Sequence, residues 1–192
     1  MSEFTSNAEA NVSAAKGVVG GYCYRAPVGT ALPTGPTWTP PANSAWKCMG
    51  YVTEDGETFS TASSVTEFRD QNGDVIDTSQ SQYGETFACS FAETKAATFE
   101  SVYGADAVTD ENGVLTVNHT GEEPGSYTYA FLFLLKDGRK WVRFAEKCKR
   151  TSLGDVQTNS STVLAWNATY QVLRSETTGG YFKDLFESTE TA

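Results

Sequence analysis

The clearest hydrophobic pattern in this chain has a period of two. In YGETFACSF, residues 83–91, Tyr83, Phe87, Cys89 and Phe91 share one face, interrupted only by Glu85, while Gly84, Thr86, Ala88 and Ser90 share the other. Such alternation predicts a half-buried strand with one small, polar face. Residues 163–174 repeat it, with Leu164, Trp166, Ala168, Tyr170 and Val172 opposed by Ala165, Asn167, Thr169 and Gln171. Further strands are predicted over 114–118, 126–135 and 140–148, and Asp137-Gly138 joins the last two by a tight turn. Only over residues 93–103 does the period lengthen to that of a helix. There Ala96, Phe99, Val102 and Tyr103 fall on one face, Thr94 stands where a cap is needed, and Gly104 where a helix ends.

Polar runs divide these segments. Residues 1–16 lack periodicity and read as a flexible N-terminal arm. Strand character begins after Gly17 with VVGGYCYRAPV, and GTALPTGPTWTPPAN then carries four of the 6 prolines, which excludes it from a sheet interior. Residues 53–82 are polar again, broken by a hairpin candidate from Val65–Arg69 through Asp70, Gln71, Asn72 and Gly73 to Val75 and Ile76. So long a polar stretch reads as a functional loop. After a body spanning 17–174, residues 175–192 read as a second arm, anchored by Tyr181, Phe182, Leu185 and Phe186.

Composition adds weight to strands: 11 Phe, 9 Tyr and 4 Trp accompany recurrent Thr and Val in a chain of 192 residues, a length that suits one domain. The formal charge of −10 argues against a phosphate-gripping surface. No apolar run approaches the roughly 18 residues of a membrane span, and the N-terminus lacks the pattern of a signal peptide. The expectation is a soluble protein made in a cytosol, in which the sequons at Asn11, Asn118, Asn159 and Asn167 carry no meaning and Cys23, Cys48, Cys89 and Cys148, without C-x-x-C spacing, are free thiols.

Candidate chemistry is sparse. His119 is the single histidine, and G-x-S-x-G, H-E-x-x-H and P-loop motifs are absent. Asp70, Asn72 and Asp74 have alternate spacing, but Val75 and Ser81 occupy the positions where a calcium loop needs glycine and glutamate. Glu54 and Glu57 lack the apolar surroundings that would set one carboxylate up as an acid. No catalytic, cofactor-binding or metal-binding residue is expected. Two non-enzymatic readings remain: an assembly subunit, or a carbohydrate-binding or adhesive β-sandwich using Trp38, Trp46 and Tyr51 as a stacking platform.

The order of segments separates them. ALPTGPTW, then GYVTEDGETFS, then EFRDQNGDVIDT, then YGETFACSFAETKAATFESVYG resembles the major tail tube proteins of long-tailed, siphovirus-type bacteriophages over residues 17–174. Gly50, Tyr51, Val52, Glu54, Asp55 and Gly56 match one family pattern; Phe87, Phe91, Thr94, Val102, Tyr103 and Gly104 match a second. The resemblance implies a mainly β, sandwich- or barrel-like fold with one flanking helix, assembled as stacked hexameric rings around a channel for DNA ejection. It also implies partners: other copies of the chain, a tape-measure protein, a tail terminator and distal tail proteins, with DNA passing through unbound and no membrane involved. The expected location is the virion tail, and the host cytoplasm during assembly. On this reading Glu54, Asp55, Glu57, Phe59, Phe68, Asp70, Asn72 and Asp74 are candidate ring-stacking residues, and Thr86, Ser90, Asn167, Thr169 and Gln171 candidates to face the lumen. The acidity would then either repel phosphate in the lumen or keep the subunit soluble.

Overall fold

Alternating apolar residues need a partner surface on one side only, and the strands meet that need by curling a single sheet over itself. A computed structural model of the chain describes residue 9 and residues 12–188. In chain order the elements are β1 (Ala15–Gly17), β2 (Cys23–Pro27), β3 (Lys47–Cys48), β4 (Thr58–Arg69), β5 (Val75–Phe91), α1 (Ala96–Tyr103), β6 (Val108–Glu111), β7 (Val114–Val117), β8 (Tyr127–Leu135), β9 (Lys140–Leu153), β10 (Trp166–Val172) and β11 (Phe182–Phe186). Nine strands form one antiparallel sheet in the order β3-β2-β8-β9-β10-β5-β4, with β1 added to β8 and β11 to β9; β6 and β7 form a separate hairpin.

The long strand β9 belongs to both halves of the sheet. Its first residues pair with β8 and β11, its last with β10, and register shifts bend the ladder between Thr169 and Tyr170. Strand twist accumulates across the order until the inner face of β4 and β5 lies over that of β8. Phe59 thus meets Phe131 and Phe133 edge-on, at centroid distances of 5.1 and 6.2 Å. Between the two halves Phe87 stacks on Tyr170 at 4.7 Å, with Tyr129, Phe91 and Val172 also fully buried.

One open side of this core is closed by α1. Phe99 packs edge-on against Trp166 at 4.9 Å, and Ser101 Oγ shares hydrogen bonds with the buried hydroxyls of Tyr129 (2.5 Å) and Tyr170 (2.6 Å). Burial pushes both phenols well above their usual range, so they stay neutral and serve as hydrogen-bonding groups. Arg25 on β2 is buried and pairs with Glu100 of α1, which Lys47 also reaches at 3.0 Å. The opposite face of β2, β8 and β9 carries a second apolar cluster, Ala26, Ala130, Leu132, Val142 and Phe144, covered by Leu32, Trp38 and Trp46 of the proline-rich segment.

Several expectations change here. The polar stretch 53–82 is not a loop: after a turn at 54–57 it enters β4 and then β5, because Thr, Ser and Gln sustain a ladder without needing a buried face. The helix begins at Ala96 rather than 93, with Lys95 at the N-cap and no side-chain cap, so Thr94 does not cap it. Residues 15–16 of the expected N-terminal arm pair with β8, and the expected C-terminal arm contributes β11, whose Phe182 enters the core. The rest of those arms, residues 1–8, 10–11 and 189–192, lies outside the described residues. The strand expected over 163–174 covers only Trp166–Val172, while that expected over 140–148 runs on to Leu153. Trp46 is buried and Trp38 packs against it at 5.2 Å, leaving Tyr51 alone exposed, so the three aromatics make no sugar platform.

Candidate assembly surface

Beyond the point where β10 ends opposite Glu85, β4 and β5 continue as a bare two-stranded ribbon. Residues 60–69 and 71–83 are exposed on both faces. At its tip the Asp70 carboxylate accepts hydrogen bonds from the backbone N–H of Asn72 and Asp74, each at 2.9 Å, and Gly73 adopts the positive φ of 90° that closes the turn. The Asp74 amide, followed by the Asn72 contacts, holds the Asp70 carboxyl below the usual range. At the base, the Tyr181 hydroxyl donates to the Tyr83 carbonyl at 3.2 Å and the Phe182 amide to Glu85 Oε2 at 2.9 Å. The ribbon is therefore rooted on the segment entering β11, a contact that no local sequence signal announced.

The candidate stacking residues separate into three groups. Phe68, Asp70, Asn72 and Asp74 stand together at the ribbon's outer end, Phe68 being 52 % exposed. Glu54 and Asp55 form an exposed turn at the foot of β4. Phe59 does not join either group: it is held in the core by Phe87, Phe131, Phe133 and Phe182, with the Arg143 guanidinium 4.6 Å from its ring centre. Glu57 lies between, with Oε1 buried and unpartnered among the described residues, and burial raises its pKa above the ordinary glutamate value. Gly50, which precedes this segment, has φ 84°, and a Cβ there would overlap the Glu93 carboxylate that accepts the Tyr51 amide at 3.0 Å.

All five candidate lumen residues come together on the outer face of the β9-β10-β5-β4 half. Cross-strand register sets Asn167 beside Ser90 and Gln171 beside Thr86, with Thr169 between them opposite Ala88. Each is half-buried. The same register extends the face to Thr58 and Ser60 on β4 and to Lys149 and Ser152 on β9, which single-strand periodicity had not singled out. No carboxylate stands at these positions, and Lys149 is paired with Glu123 at 2.8 Å. The acidity lies instead at one end of the face, where Glu54, Asp55 and Asp155 rim an open groove of about 730 Å³. His119 is exposed, its ring 4.4 Å from that of Tyr103.

The profile of a family described as phage tail tube protein matches residues 4–186, nearly the whole chain. The chain belongs to the phage tail tube protein family. A search of curated proteins returned no match. Membership makes the protein a structural component of the virion tail, not an enzyme, and one that self-assembles into a tube.

Proposed function

We propose that this tail tube subunit assembles as hexameric rings that stack into the channel for DNA ejection, with the outer face of the β9-β10-β5-β4 half lining the lumen. The carrying observation is that face itself: Thr, Ser, Asn and Gln side chains backed by an aromatic core. Hydroxyls and amides hydrate readily and offer DNA phosphates neither a cationic grip nor a greasy surface. The edges support ring closure. β4 has no partner on its outer side, and residues 149–153 of β9 have none on theirs among the described residues. Successive strands from β9 to β4 alternate in direction, so β4 of one copy set beside β9 of the next continues the antiparallel ladder and removes both free edges.

The ribbon is the element through which one copy reaches another in the stack, and its exposed Val65, Phe68, Val75 and Ile76 supply apolar area for that contact. By resemblance, tube length follows from a tape-measure protein, the ends are met by a terminator and distal tail proteins, and assembly takes place in the host cytoplasm.

Electron microscopy of the concentrated chain tests this reading: tubes with sixfold rings are expected, and a chain that remains monomeric at every concentration would refute it. The lining is tested separately by Thr169→Cys in a Cys48→Ser background. In tubes the new thiol should react with a small maleimide but resist one attached to a large polymer; equal reaction with both would place this face outside.

A further inference from the structure

The ribbon's outer end is both apolar and acidic. Within residues 65–78 lie Glu67, Asp70, Asp74 and Asp77 against a single Arg69, alongside Val65, Phe68, Val75 and Ile76, which are 46–70 % exposed. An acceptor surface should therefore be apolar and basic. Of five grooves among the described residues, four have carboxylates in their linings: Glu54, Asp55 and Asp155 in one, Asp106, Glu122 and Glu123 in another, Glu54, Asp55 and Glu57 beside Lys16 in a third, and Glu93 in the fourth. The fifth differs. It runs between β1 and the β8–β9 turn, is floored by Ala14, Ala15, Leu134 and Leu135, and is flanked by Lys16 and Lys136 with no carboxylate in its lining. Its volume of about 340 Å³ admits an aromatic ring. Both lysines are exposed and have no ion-pair partner among the described residues.

We propose that this groove is the docking site for the ribbon tip of a second copy, with Phe68 or Ile76 lying on its apolar floor and the tip carboxylates meeting Lys16 and Lys136. The inference rests on the self-assembly reading and adds to it the acceptor surface. Within one chain, groove and tip residues are both exposed, so the contact is between copies. Opposite charge steers the encounter toward Lys16 and Lys136, while the apolar floor takes the side chains that the ribbon leaves in water.

The test is Lys16→Glu with Lys136→Glu, two surface changes that leave the thermal unfolding of the monomer near wild type. Light scattering and microscopy should show the concentration needed for assembly rising about tenfold or more. Adding Asp74→Lys and Asp77→Lys should restore assembly, and Phe68→Cys with Leu135→Cys should give disulfide-linked oligomers on mild oxidation by a soluble disulfide. Assembly of the charge-reversed chain at the wild-type concentration, with no cross-linked oligomers, would overturn the docking while leaving the tube reading intact. A wild-type chain that never assembles would overturn both. Assembly unaffected by charge reversal but lost on removing residues 1–8 would give the groove to the chain's own N-terminus and likewise overturn the docking.

Discussion

Phe59 and Phe68 stand on the same strand, nine positions apart, and their removal should have opposite consequences. Phe59 is half-buried among four aromatic rings at 5.1–6.4 Å and under the Arg143 guanidinium. Truncating a buried Phe to Ala costs about 3–5 kcal/mol. Partial exposure moves Phe59 toward the lower end, and the lost edge-to-face contacts keep it from falling further, which gives ~3 kcal/mol. In a chain of this size that corresponds to a fall in Tm of about 6–12 °C. Phe68 makes no core contact, and its truncation should change monomer stability by less than about 0.5 kcal/mol. Urea unfolding followed by tryptophan fluorescence, at a concentration below assembly, measures both: the Phe59→Ala midpoint should drop by about 1.5 M at an m-value of ~2 kcal/mol/M. Assembly should be lost for Phe68→Ala although its monomer is intact. Equal stability losses for the two variants, or a Phe59→Ala midpoint within error of wild type, would refute the assignment of one ring to the core and the other to the contact surface.

Glu57 should obey the opposite sign from a salt-bridged carboxylate. Burial raises its folded pKa, so the native state holds the proton more tightly than the unfolded chain and stability falls as pH rises through that window. Glu57→Gln should therefore stabilise the monomer at neutral pH by about 1 kcal/mol, and the gain should vanish in acid where Glu57 is protonated in both states; a pH-independent difference in Tm would contradict this. Ser101→Ala removes the hydroxyl shared by Tyr129 and Tyr170 and should cost about 1–3 kcal/mol, but less in a Tyr129→Phe, Tyr170→Phe background, as a double-mutant cycle would show. Gly50→Ala combines an unfavourable φ with expulsion of the Glu93 carboxylate and should cost more than about 1 kcal/mol in thermal unfolding. Replacing residues 64–82 by Asn-Gly shortens the ribbon at the Ser63–Tyr83 pair and spares Phe59; the monomer should melt within a few degrees of wild type yet form no tubes.

Much of the candidate surface was legible because its signals are local. Alternation in residues 83–91 and 166–172 assigns Phe87, Phe91, Trp166 and Tyr170 inward and Thr86, Ser90, Asn167, Thr169 and Gln171 outward without knowledge of any partner strand. Residues 53–82 misled for a physical reason: a ribbon exposed on both faces has no hydrophobic period, and its Ser, Thr and Gln residues read alike in a ladder and in a loop. Phe59 was grouped with the acidic turn beside it because nothing local distinguishes a ring that a distant strand will cover.

What the chain's sequence determined alone was therefore the direction of side chains within each strand, the turns at Asp70–Gly73 and Asp137-Gly138, and the absence of a phosphate-gripping charge. Only the tertiary structure decided which strands are neighbours, that β9 serves both halves of the sheet, that β11 roots the ribbon, and that the Thr, Ser, Asn and Gln positions of β4, β5, β9 and β10 gather on one outer face with the carboxylates of Glu54, Asp55 and Asp155 at its end, although the chain carries −10. Periodicity is set by successive residues, whereas strand order, register and the separation of charge from the polar face depend on contacts between segments as far apart as Phe59 and Phe182, which only the folded chain brings together.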